Sequence, residues 1–204
     1  MSDQIEAVVF DIGNVLVRWE RDLPFRRLIP DAAARAYFMD TVIPLHWHAE
    51  HDAGHGAEDM IAERSAQFPD HAPLIRAWLS TFNETIPGPV PGSEAIVEEL
   101  TAHGVPLYAI TNFGSDTWAG FAPGWPLAAQ FIDIVVSGDE QLAKPDPAIY
   151  ALAQARFGRA PGSMLFIDDS PVNVESARAC GWHAHHFVGA AGLRDELMER
   201  GLLR

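Results

Sequence analysis

A series of short apolar runs, three of them closing on a polar residue, constrains this chain more than any other feature. Ala7-Val8-Val9-Phe10 closes on Asp11, Val105 to Ile110 closes on Thr111, and Met164 to Ile167 closes on Asp168-Asp169. Phe131 to Val136 is a further run, and His183 to Val188 is a weaker one. Their shortness and β-branched content suit strands buried on both faces. Helical patterns separate them. Ser93 to His103 carries Ile96, Val97 and Leu100 before the stop at Gly104, and Pro145 to Phe157 carries Ile149, Tyr150, Leu152 and Ala153. Pro171 to Cys180, closed by Gly181, and Ala190 to Leu203 complete the set.

Strands alternating with helices predict an α/β fold: a parallel sheet with right-handed crossovers and helices on its faces. In such sheets, ligands bind beyond the carboxyl ends of the strands. Asp11, Thr111 and the Asp168-Asp169 pair are therefore expected on one edge, although the sequence holds them far apart. Residues 17–90 do not follow the alternation. They read as mostly helical, with Ala32 to Tyr37, Glu58 to Gln67 and Pro73 to Phe82 as candidates, and return through the stiff Pro87-Gly88-Pro89-Val90-Pro91-Gly92 stretch. The expected organisation is a core of residues 1–16 and 91–204 with an inserted helical cap of residues 17–90.

Composition bounds the partners. With 14 basic against 28 acidic residues the formal net charge is −14, which repels nucleic-acid backbones and anionic membranes. A small anionic substrate would be repelled too, unless a lysine or metal supplies local positive charge. The single cysteine, Cys180, permits no disulfide within the chain, and no apolar run approaches the roughly 20 residues that span a bilayer. The start of the chain lacks a signal-peptide pattern, so a cytoplasmic location is expected. The sequence sets no oligomeric state.

The strand ends offer the parts of phosphoryl transfer through a covalent intermediate: a nucleophile, neutralisation of the phosphate oxygens, and positioning. Asp11, followed by Ile12-Gly13-Asn14-Val15, fits a nucleophile, and Gly13 would let the backbone approach a ligand or metal. A turn aspartate is the plainer reading. Thr111 and Asn112 offer a hydroxyl and a backbone N–H to phosphate oxygens, or simply a turn. Lys144, before Pro145, would stand at a helix N-terminus, where the dipole disfavours a cation unless an anion compensates. Asp168 and Asp169 repel each other unless a cation intervenes, though Asp169 or Ser170 also fits a helix N-cap. A magnesium ion, which takes hard oxygen ligands, would relieve the repulsion. Leu45 to Gly56 holds His46, His48, His51 and His55, readable as a zinc site, a substrate-facing cap surface, or ordinary packing; Trp47 and Trp125 could stack on a ring or fill a core.

Val9 to Leu16, Ile110-Thr111-Asn112, Lys144 to Tyr150 and Phe166 to Ser170 resemble, in order, the four motifs of the haloacid dehalogenase superfamily. The resemblance spans nearly the whole chain. It implies a Rossmann-like parallel sheet sandwiched by helices, with a helical cap inserted after the first motif. It implies that Asp11 forms an aspartyl-phosphate, that Asp11, the Gly13 carbonyl and Asp169 hold Mg2+ with Asp168 assisting, and that Thr111 and Lys144 bind phosphate. Asn173 would support the metal's water shell. Most phosphatases of this superfamily carry a second aspartate, a general acid and base, two residues after the nucleophile; here that position is Gly13. The segment is similar to the branch that includes glucose-1-phosphate phosphatases.

The expected activity is thus magnesium-dependent hydrolysis of a small phosphorylated metabolite, such as a sugar phosphate. Without the acid, phosphates with easily expelled leaving groups should be preferred, or a cap histidine should supply the proton. A 2-haloacid dehalogenase, a phosphotransferase and a non-catalytic binding module are the rival readings on the same fold.

Overall fold

The computed structural model describes residues 4–204 and holds a five-stranded, all-parallel sheet in the order β3-β2-β1-β4-β5. The strands are β1 (Ala7–Phe10), β2 (Leu107–Thr111), β3 (Asp133–Val136), β4 (Met164–Asp168) and β5 (His183–His186). β1 lies at the centre, paired with β2 on one side and β4 on the other, so the strand order reverses there. This is the place where open parallel sheets leave a crevice for ligands.

Alternate residues of the strands feed two cores, as the period of two requires. Val8 and Phe10 join Ile96, Leu100, Leu193 and Leu197 on one face, drawing in α6 (Ser93–Ala102) and α11 (Ala190–Glu199). Ala7 and Val9 join Ile149, Tyr150, Val174 and Ala177 on the other, drawing in α9 (Pro147–Phe157) and α10 (Pro171–Ala179). Two short helices missing from the sequence reading, α7 (Ser115–Phe121) and α8 (Ser137–Glu140), follow β2 and β3. They are too short for an apolar period to show.

Between β1 and α6 lie α1 (Leu23–Leu28), α2 (Ala32–Tyr37), α3 (Leu45–Asp52), α4 (Ala57–Gln67) and α5 (Ala72–Ser80). They enclose a separate apolar cluster containing Phe25, Phe38, Ile61, Ile75 and Trp78. The chain leaves and re-enters the sheet layer side by side: Val17 bridges Pro89, Arg18 N–H donates to Gly88 O, and Val90 N–H donates to Leu16 O. Helices α1 and α3 were not expected from the sequence. In α3 the segment Leu-His-Trp-His-Ala-Glu-His-Asp mixes buried histidines with its apolar residues, which erases the usual period.

One expected boundary needs correction. Helix α9 starts at Pro147, not Pro145, because the Asp146 side chain accepts the Ala148 N–H at 2.8 Å and caps it. Lys144 therefore precedes the helix and does not sit on its N-terminus.

Candidate active site

The register places Phe10 beside Ala109 and Ile167, so the residues that follow reach one edge together. Asp11, Thr111, Lys144 and Asp169 line a single cavity of about 390 Å³ there, together with Gly13, Asn112 and Asn173.

Lys144 is the hub. Its side chain is 1% exposed, and its Nζ stands 2.8 Å from Asp11 Oδ1 and 2.8 Å from Asp168 Oδ2. Burial opposes the ammonium's charge, yet Asp11 and Asp168 outweigh it and hold the lysine above its ordinary range. The cation that offsets Asp168 is thus Lys144. Asn112 sets the lysine's position: its Nδ2 donates to Lys144 O and its Oδ1 accepts Lys144 N–H, both at 2.9 Å. The Asn112 side chain is therefore spent on the scaffold, leaving only its backbone for a phosphate.

Asp168 is fully buried, and both its oxygens are occupied. Oδ1 accepts Ser170 N–H at 2.8 Å and Asn173 Nδ2 at 3.0 Å; Oδ2 accepts Asn173 Nδ2 at 3.1 Å besides the lysine. Tyr150 Oη donates to Asn173 O at 2.9 Å and ties α9 to the first turn of α10. Asn173 thus serves Asp168 directly. Ser170 stands at the N-cap position of α10 without a side-chain cap bond.

Asp11 is buried, and its carboxyl is pushed up to about 7. Burial is the main cause, Lys144 opposes it, and Asp168 and Asp169 add repulsion. Burial and Asp168 also raise Asp169, against the pull of Lys144 and the Asn14 side chain. Carboxylate oxygens of Asp11, Asp168 and Asp169 all lie within 4.8 Å of one another. Such a crowded acidic set of hard oxygen donors fits a divalent cation, which would relieve the repulsion.

Gly13 lines the cavity, but a Cβ added there meets nothing within 4 Å, so the fold itself does not require glycine. The unusual backbone belongs to Asn14, at φ 55°, a left-handed conformation that Asn tolerates. There Asn14 Oδ1 accepts Trp19 N–H at 3.1 Å.

The far wall is largely apolar: Val17, Trp19, Leu45, Phe82 and Ile86 from the segment between β1 and α6 join Phe113, which follows β2, around His48 and Asp52. The four histidines do not converge: His46 and His55 are exposed, His48 and His51 buried. Trp78 Nε1 donates to His48 Nδ1 at 3.1 Å, which leaves the proton of the neutral ring on Nε2, 3.5 Å from Asp52 Oδ2. Burial, then His51 and Arg21, push His48 down to about 3. His48 is therefore neutral at ordinary pH and is no proton donor of useful strength, against the expectation of an acidic cap histidine. Trp47 and Trp125 are packed in the cores, and the cavity's aromatic wall is Trp19 and the two phenylalanines. Asp52, Asn14 and Trp19 escaped the sequence reading because each stands in an irregular or weakly patterned stretch. The Asp-x-Gly at Asp52 to Gly54, ending a helix, was the available signal for Asp52.

A family model described as haloacid dehalogenase-like hydrolase matches residues 5–181. The chain belongs to that family. It is 30% identical over 192 residues to a phosphoglycolate phosphatase of Rhodospirillum rubrum, covering 86% of this chain and 76% of that protein. It is 33% identical over 95 residues to a phosphoserine phosphatase of Thermus thermophilus, covering 46% of this chain but only 38% of that protein. In fold it is similar to a HAD-like family hydrolase from Porphyromonas gingivalis, at TM-score 0.71 and 20% identity, over 96% of this chain and 97% of that one. It is also similar to the L-2-haloacid dehalogenase of Xanthobacter autotrophicus, at TM-score 0.69 and 17% identity, over 96% and 83%. These two likenesses bear on fold alone. No helix among the described residues is long and apolar enough to cross a membrane.

Proposed function

We propose that this protein is a magnesium-dependent phosphatase that works through an aspartyl-phosphate at Asp11 on a small phosphorylated metabolite. The observation that carries this reading is the convergence of Asp11, Thr111, Lys144 and Asp169 on one end of a closed-in cavity. Asp11 is the nucleophile. Lys144 and Thr111, with the Asn112 backbone, receive the phosphate oxygens, and Lys144 holds Asp11 in place before the substrate arrives. Asp11, the Gly13 carbonyl and Asp169 hold the Mg2+, while Asp168 acts from behind through Lys144 and Asn173. When bound, the ion neutralises the phosphate and makes attack by an anionic nucleophile feasible.

Residues 17–90 form the cap and residues 1–16 and 91–204 the core, a division supported by the separate apolar cluster and the paired crossing at Val17 and Pro89. Among the cavity-lining residues Lys144 is the one cation, and the cap wall is apolar or acidic. A second anionic group on the substrate would find no partner there. The leaving group therefore carries no further negative charge and offers an apolar or ring face to Trp19 and Phe82, as in a sugar phosphate.

Phosphate release from p-nitrophenyl phosphate, glucose 1-phosphate and glucose 6-phosphate, each with magnesium, with EDTA and with Asp11→Asn, tests the reading. Turnover that needs magnesium and vanishes in Asp11→Asn is expected. Chloride release from 2-chloropropionate in EDTA, without phosphate release, would replace it with the dehalogenase reading.

A further inference from the structure

The cavity contains one acidic group that the proposed phosphatase chemistry leaves unused. Asp52 ends helix α3 and lines the same cavity as Asp11, with its side chain 13% exposed. No cation faces it. On its own helix, His48 Nε2 lies 3.5 Å from Oδ2 and His51 Nδ1 lies 3.9 Å from Oδ1. From the loop before α7, the Gly114 amide donates to it. Across the cavity stand Asp11, Asp169 and Lys144, and the lysine is engaged by Asp11 and Asp168. Ser137, on α8, donates to the Asp52 backbone carbonyl and anchors the helix end to the core.

His51 points to the protonation state. Its Nε2 lies 2.7 Å from Asp116 Oδ1, a pure acceptor when ionised, so Nε2 carries the ring's proton. Its Nδ1 is buried without a hydrogen-bond partner and stands 3.9 Å from Asp52 Oδ1. In the neutral ring that nitrogen is an acceptor, and a protonated Asp52 is the neighbouring side chain able to donate to it. Burial likewise pushes the Asp52 carboxyl up to about 7, with the Gly114 amide opposing. The acid is thus poised near neutrality, where general acid–base catalysis is most effective. Asp116, half exposed, reaches it through His51 and connects it to the surface.

We propose that Asp52, delivered by the cap, is the general acid and base of this site, the task for which position 13 carries no side chain. The inference rests on the phosphatase reading. In the first step Asp11 Oδ attacks phosphorus, the bond from phosphorus to the leaving oxygen breaks, and the Asp52 carboxyl gives its proton to that oxygen, releasing an alcohol. In the second step the Asp52 carboxylate takes a proton from water as the water oxygen attacks phosphorus. The bond from phosphorus to Asp11 breaks, and phosphate and the Asp11 carboxylate are regenerated. This proton source revises the leaving-group expectation: the preference for easily expelled groups belongs to a protein lacking Asp52, not to the intact one.

The test compares phenyl phosphate with p-nitrophenyl phosphate, which are alike in shape but differ in how readily the phenolate leaves. With magnesium, Asp52→Asn should lower kcat/KM for phenyl phosphate about 100-fold or more, and for p-nitrophenyl phosphate less than about 10-fold. It should also show a burst of p-nitrophenolate as the aspartyl-phosphate accumulates. Asp52→Glu keeps the acid and should keep the ratio of the two substrates near the wild-type value. That ratio does not depend on how much of a variant is folded. Equal losses on both substrates in Asp52→Asn would overturn the proposal and leave Asp52 a positioning residue, with the phosphatase reading intact. No turnover of either ester by the wild-type protein would overturn both.

Discussion

Replacing Asp52 by Asn should stabilise this protein, and only above a definite pH. The folded carboxyl titrates near 7, against the ordinary value of 3.8, because it is buried. A raised folded value means that the native state binds the proton more tightly than the unfolded chain. The stability this contributes is complete below about pH 4 and is lost as pH climbs to 7. The loss is about 3 units at 1.36 kcal/mol each, or about 4 kcal/mol in all. Asn cannot ionise, and it imitates the protonated acid: its oxygen can serve His48 and the Gly114 amide, and its Nδ2 can donate to His51 Nδ1. Urea unfolding of both proteins in EDTA should therefore give matching stabilities near pH 4. At pH 8 the variant should be ahead by about 4 kcal/mol, or a Tm rise of roughly 8–16 °C for a chain this long. The titrations of Asp11 and Asp169 are shared by both proteins and cancel. A stability difference that stays constant across this range, or a variant weaker at pH 8, would refute the reasoning. More stability bought with less activity is the behaviour expected of a catalytic group held in a costly state.

Other perturbations have equally definite outcomes. Lys144→Met leaves the buried Asp11 and Asp168 carboxylates without their shared cation; it should cost about 3–5 kcal/mol in urea unfolding at pH 8 and abolish phosphate release. Gly13→Ala should change stability by less than about 0.5 kcal/mol in the same assay, since the added methyl meets no atom within 4 Å. Gly114→Ala places its methyl on the His51 ring. It should force the imidazole off Asp116 and lower the Tm by about 2–12 °C.

The sequence by itself determined the sheet and its chemistry-bearing edge. Apolar runs of strand length, alternating with helices and ending in Asp11, Thr111 and Asp168, imply a parallel sheet, and parallel strands align their carboxyl ends. The helix ends were legible where local chemistry sets them, as at Gly104 and Gly181, and misplaced at Lys144-Pro145, where the Asp146 cap two residues later wins. The inserted helices were half legible: α2, α4 and α5 show in the pattern, while α3 does not, because two histidines and an aspartate share its buried side with Trp47.

Tertiary structure alone decided who partners whom. That Lys144 neutralises Asp168 rather than a helix end, that Asn112 clamps the lysine backbone, and that Asn173 serves Asp168 are contacts between segments 24–32 residues apart or across a turn. No local pattern encodes them. The role of Asp52 is the extreme case. In the sequence it is one acidic residue among 28. Only the packing of α3 over the sheet edge removes it from water, raises its carboxyl, and brings it beside the unpartnered His51 Nδ1 into one cavity with Asp11.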